Sequence, residues 1–135
     1  MNTQDLRGLQ GRNGQNIRNR TFEFACNVVT LAEGLLARYG AGRIMATQLV
    51  NCSTSAAAML EEAKAAESRR DFVSKCSIAL KELREAWVRL RICARTQRRF
   101  KAELDQLVSE SNQLVAIVTA ILRNTRARWA SRERA

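Results

Sequence analysis

The residues most able to do chemistry lie between positions 84 and 101. This stretch holds Arg84, Arg89, Arg91, Arg95, Arg98, Arg99 and Lys101 against one acid, Glu85. Each guanidinium is a planar fork of donors that matches phosphate oxygens, and it stays charged at any ordinary pH. A row of such forks nearly free of acids points to a polyanion, in particular the phosphate backbone of a nucleic acid. The bland alternative is a solvated helix face that aids solubility. Trp87 and Phe100 are interleaved with these bases but fall on an apolar line, which favours packing over base stacking.

The net charge of +10 is unevenly spread. Residues 1–20 carry Arg7, Arg12, Arg18 and Arg20 against Asp5, whereas residues 21–83 are balanced. Residues 84–101 carry +6, residues 102–122 carry −3, and residues 123–135 carry +4. Arg7, Arg12, Arg18 and Arg20 with Arg126, Arg128, Arg132 and Arg134 form a second basic group, suited to nonspecific phosphate contacts.

Other chemistries find little support. Histidine is absent, which removes the commonest general base and metal ligand together. Glu82 and Glu85 share a helix face, but a di-iron bundle needs a Glu-x-x-His partner. The expectation is a protein that is not an enzyme, with no catalytic residue, no cofactor and no metal. Cys26, Cys52, Cys76 and Cys93 are too far apart for zinc spacing and are expected to be buried, free thiols. Met1–Arg20 lacks an apolar core segment and no stretch is long enough to span a bilayer. A cytoplasmic protein with no membrane role is expected.

Four amphipathic segments must position the basic residues. With no proline and six glycines, long helices are the easiest conformation for this chain. The polar, glycine-bearing residues 1–15 read as a flexible basic arm. The first helix is expected from Ile17 to Tyr39 on the line Phe22, Ala25, Val28, Val29, Ala32, Leu35 and Leu36, ended by Gly40-Ala41-Gly42. The second should run from Arg43 to Ala65 on Ile44, Leu49, Cys52, Ala56, Met59, Leu60 and Ala63. Its small residues 53–58 predict close helix packing rather than a cavity. Ser68 and Asp71 are spaced as a capping box that opens the third helix, which should end near Ala94. Its line is Phe72, Cys76, Ala79, Leu80, Leu83, Trp87, Leu90 and Ala94. The fourth is expected from Arg98 to Arg128 on a line from Phe100 to Leu122, with a basic tail over 130–135. Short connections force antiparallel neighbours, so the expected fold is an all-α, up-down-up-down four-helix bundle over residues 16–129. In that topology the turn between the first two helices, with Arg38 and Arg43, lies beside the basic block.

The stretch from Gln48 to Ile92 resembles the four-helix bundle family first known from intervening sequences in bacterial large-subunit ribosomal RNA genes. The resemblance rests on Gln48-Leu49, Ser53-Thr54-Ser55, Glu62-Ala63, Glu67-Ser68, Asp71-Phe72, Lys75, Ile78-Ala79-Leu80-Lys81-Glu82, Glu85 and Trp87. It implies the antiparallel bundle and a ring-like homopentamer. One branch comprises accessory proteins of diversity-generating retroelements, basic proteins that work with a reverse transcriptase and its template RNA. The charge draws this chain toward that branch, and the resemblance to it, with its template RNA, implies RNA ahead of DNA as the partner. A structural or protein-interaction scaffold without a nucleic-acid role is the alternative.

Overall fold

The computed structural model describes residues 16–36 and 40–134. The expected arm, residues 1–15, lies outside them, as does Arg38. Four helices follow in order: α1 (Ile17–Leu36), α2 (Ala41–Lys64), α3 (Arg69–Thr96) and α4 (Lys101–Arg134). Each packs along its neighbour in sequence, and α4 closes more thinly onto α1. The result is the antiparallel four-helix bundle.

The helix boundaries have local causes. Ser68 is extended and its hydroxyl accepts from the Asp71 backbone N–H at 3.0 Å. Asp71 reaches back to accept from the Glu67 N–H at 3.3 Å, one residue earlier than a standard capping box. At the other end of α3, Gln97 breaks the helix in an extended conformation while its N–H still bonds to the Cys93 carbonyl at 2.8 Å. Gly40, at φ 93°, takes a backbone region open to glycine, and α2 begins one residue later. Gly42 therefore lies within the first turn of α2 and is buried, rather than ending α1.

The core is a continuous set of aliphatic and phenyl side chains, with Phe24, Leu35, Leu49, Leu60, Phe72, Leu83, Leu90, Leu104 and Leu114 essentially inaccessible. Burial of each such side chain stabilises the fold by about 1.5–3 kcal/mol. The core face of α1 is rotated from the expected one. It runs Ile17, Thr21, Phe24, Val28, Leu31 and Leu35, with Ala25 and Ala32 beside it. Phe22 is 60% exposed and Leu36 39%. Two lines at three-and-four spacing overlap in this helix, and the one carrying Phe24 and Leu31 points at the bundle axis because α1 must pack on both α2 and α4. Ile44, in the first turn of α2, is likewise turned outward, at 63% exposure.

The fourth helix begins at Lys101 and continues to Arg134, through the segment expected to be a tail. At 34 residues it is about 51 Å long. It outruns α1, so positions 131–134 are helical yet exposed. Phe100, which precedes α4, has φ 62°, the left-handed region that is unusual for a bulky residue.

Candidate nucleic-acid interface

Contacts between the two turns at one end of the bundle fix where the basic block sits. A Cβ on Gly42 would lie 3.7 Å from Gln97 Nε2, and one on Gly34 would lie 2.6 Å from Phe100 Cζ. The start of α2, the end of α3 and the start of α4 therefore share one end, as the topology requires. Arg43, Arg95, Arg98 and Arg99 are all exposed there, and Arg91 is exposed one turn below. Arg84 is exposed nearer the middle of α3. Arg95 occupies the last turn of α3, where a cation also meets the negative end of the helix dipole.

Two members of the block are already engaged. Arg89 Nη1 donates to Glu85 Oε2 at 3.2 Å, and Lys101 Nζ bonds Asp105 Oδ1 at 3.0 Å, both one helical turn apart. Such pairs contribute little to stability, about 0.3–0.5 kcal/mol, but they cancel charge locally. The cations left without an ion pair among the described residues are Arg43, Arg84, Arg91, Arg95, Arg98 and Arg99.

The aromatics of this region do pack, but only in part. Trp87 and Phe100 are half-buried. The Arg91 guanidinium carbon stands 4.4 Å over the Trp87 ring, and that of Arg99 stands 5.2 Å over Phe100. These contacts hold two charges against the surface and cover the ring faces.

The second basic group is not a free cluster. Arg18 bonds Glu61 of α2 at 3.0 Å. Arg20 makes a two-pronged bond to Glu110 of α4, Nε to Oε1 at 3.0 Å and Nη2 to Oε2 at 2.9 Å, and also donates to Gln113. Arg18 and Arg20 thus join helices. Arg126, Arg132 and Arg134 are exposed near the far end of α4, and Arg128 bonds Thr125 at 3.4 Å. Arg7 and Arg12 lie outside the described residues. Three of the acids near α3 are also engaged: Glu62 pairs with Lys75 at 3.2 Å, Asp71 accepts from the Glu67 N–H, and Glu85 holds Arg89.

Two expectations fail at the α1–α2 surface. The small-residue run of α2 packs tightly only on its inner side, where Ser53 and Ala56 are fully buried. Its outer side leaves a groove of about 700 Å³ lined by Phe22, Ala25, Cys26 and Val29 of α1 and Thr54, Ala57 and Ala58 of α2. Cys26 is exposed beside this groove, whereas Cys52, Cys76 and Cys93 are buried. Cys26 follows Phe22 by one turn, so the rotation of α1 carries both outward. Burial pushes the Cys76 thiol up to about 12. It also raises Cys52, partly offset by Arg89, and Cys93. A second, more polar cleft of about 1040 Å³ lies along the thin α1–α4 seam, with Glu23, Glu103, Glu110 and Arg20 on its walls.

Comparison with known proteins agrees with this architecture. No curated protein matches the chain. A solved protein of unknown function from Bacteroides thetaiotaomicron, of the S23 ribosomal protein family, is 28% identical, with a TM-score of 0.71 over 78% of this chain and 97% of that one. No helix among the described residues is long and apolar enough to cross a membrane. The sequence model of the 23S rRNA-intervening sequence proteins matches residues 14–120, which take in the whole basic block and most of the four helices. The chain belongs to the 23S rRNA-intervening sequence protein family.

Proposed function

We propose that this protein is a non-catalytic, RNA-binding bundle that works as an oligomer, as an accessory factor to a reverse transcriptase in a diversity-generating retroelement. The observation that carries the RNA-binding part is the convergence of unpaired arginines from α2, α3 and the α3–α4 turn on one end of the bundle. The nearby acids Glu85 and Asp105 are already bonded to Arg89 and Lys101. Phosphates are the ligand class such forks fit best. The link of the family to ribosomal RNA genes supports RNA over DNA. The oligomer, a homopentamer by family resemblance, would repeat this end around an axis and add its charge.

Affinity by this means is weakly sequence-specific and falls steeply with salt. A mobility-shift titration with generic RNA across a severalfold range of salt tests it. Reversing Arg91, Arg95, Arg98 and Arg99 together to glutamate should abolish binding. Retained binding in that variant, or binding indifferent to salt, overturns the reading. Sedimentation of the free protein tests the assembly, and pull-down with a diversity-generating retroelement reverse transcriptase tests the partner.

One observation favours a second reading, a protein-interaction scaffold. The α1–α2 groove exposes Phe22 and Cys26 beside small apolar residues. A protein that fails to shift any RNA but binds a partner lost on Phe22→Glu would take that reading instead.

A further inference from the structure

The basic end continues down the outer side of α3 as a track. Positions 70, 74, 77, 81, 84, 88, 91 and 95 follow at intervals of four and three, so they share one helix face. All are exposed except the half-buried position 77. The face holds Arg70, Lys81, Arg84, Arg91 and Arg95 with two serines and Val88, and it contains no acid. None of these five cations makes an ion pair among the described residues. Of the acids nearby, Glu62 and Glu85 are held by Lys75 and Arg89, while Glu67 and Glu82 make no ion pair among the described residues. Lys81 with Arg84, and Arg91 with Arg95, are like charges within one helical turn. That arrangement weakens an isolated helix, so the fold alone does not call for it.

The track has the dimensions of a double helix. Arg70 and Arg95 are about 38 Å apart along the helix axis at 1.5 Å per residue, long enough to reach phosphates on successive walls of an A-form duplex. The cations are grouped at its two ends and its middle, as contacts to separate phosphate walls of a rigid rod would be. A single strand ordinarily adds to its phosphate contacts by stacking bases on open aromatic faces. Here the aromatics nearest the track are covered: Trp87 by Arg91 at 4.4 Å, Phe100 by Arg99 at 5.2 Å and Trp129 by Arg69 at 5.9 Å.

Building on the RNA-binding reading above, we infer that the outer face of α3 binds double-helical RNA along its length, through phosphates on successive walls of its grooves, in preference to single-stranded RNA. Arg70 and Lys81 then join the site, far from the basic end.

The test compares three probes by titration at several salt concentrations: an RNA duplex of roughly 20 base pairs, a hairpin with a stem of roughly 5 base pairs, and a uridine homopolymer as long as one strand of the duplex. The full-length protein is compared with the R70Q/K81Q double variant, both changes being at exposed helical positions. The long duplex should bind tightest. Its salt slope should drop by about two in the double variant, about one per lost phosphate contact. The short stem, too short to reach both ends of the track, should show a smaller drop than the long duplex. Two results overturn the track while leaving RNA binding intact: homopolymer binding as tight as that of the long duplex, or an unchanged slope in R70Q/K81Q when the four-arginine reversal abolishes binding. Failure of all three probes to bind overturns the RNA-binding reading itself.

Discussion

Gly34 of α1 and Phe100, at the foot of α4, are fitted to one another. The Phe100 ring lies so close to the Gly34 backbone that a Cβ there would sit 2.6 Å from Cζ. Phe100 holds this position with φ 62°. A left-handed conformation costs such a residue about 1–2 kcal/mol, which the ring's packing must offset. Replacing a mid-helix glycine by alanine ordinarily stabilises by about 0.5–1 kcal/mol. Gly34→Ala should instead destabilise, by about 1–3 kcal/mol, because the ring has to move. In a Phe100→Ala background the same change should turn neutral or stabilising. Urea denaturation of the four proteins of this cycle gives the coupling directly; additive effects would mean that the two residues do not touch.

The Arg20–Glu110 bond should be the main polar tie across the thin α1–α4 seam. Both side chains are half-buried, 24% and 32% exposed. Removing one partner leaves a partly desolvated charge, so Glu110→Ala should lower stability by about 1–2 kcal/mol. Asp105→Ala, whose partner Lys101 is 64% exposed, should change it by less than about 1 kcal/mol. Equal losses in the two variants would contradict this ranking.

Ser68 should matter more than its exposure suggests. Its hydroxyl satisfies one backbone donor of α3 and sets up the return bond from Asp71 to Glu67. Ser68→Ala should lower stability by about 1 kcal/mol. Ser68→Asp, another good cap, should restore most of it. Hydrogen exchange of the first turn of α3 in the alanine variant would show the fraying locally.

Thiol chemistry should separate one cysteine from the other three. In the native protein Cys26 should react with a thiol reagent quickly, and Cys52, Cys76 and Cys93 only on unfolding. Burial raises the Cys76 thiol from 9.0 to about 12, so the folded protein keeps a proton that the unfolded chain would release. The stability this contributes is complete below pH 9.0 and is lost as the pH rises toward about 12. The urea midpoint should therefore fall more steeply above pH 9.0 in the native sequence than in Cys76→Ala. Parallel pH profiles for the two proteins would exclude Cys76 as the cause.

The fold was legible because its signals are local and periodic. Four apolar lines at three-and-four spacing, a capping pair at Ser68 and Asp71, and glycine near position 40 specify helices and short turns, and short turns specify antiparallel packing. The basic character of α3 and the turn after it was equally plain, since charge is a property of residue type. What the sequence left open was direction. In α1 two overlapping apolar lines compete, and only contact with both α2 and α4 decides that Phe24 and Leu31 turn inward while Phe22 and Cys26 turn out. Partnership is decided in the same way. Arg20 reaches Glu110, ninety residues on, and Arg18 reaches Glu61, so two arginines of a seemingly free basic group serve as ties. Within α3, by contrast, Arg89 is engaged by Glu85 one turn away, a spacing already present in the sequence. Residue type and period belong to one strand of sequence, but burial and pairing belong to two helices at once. Tertiary packing was therefore needed to tell which of this protein's many arginines are bonded and which are left to bind.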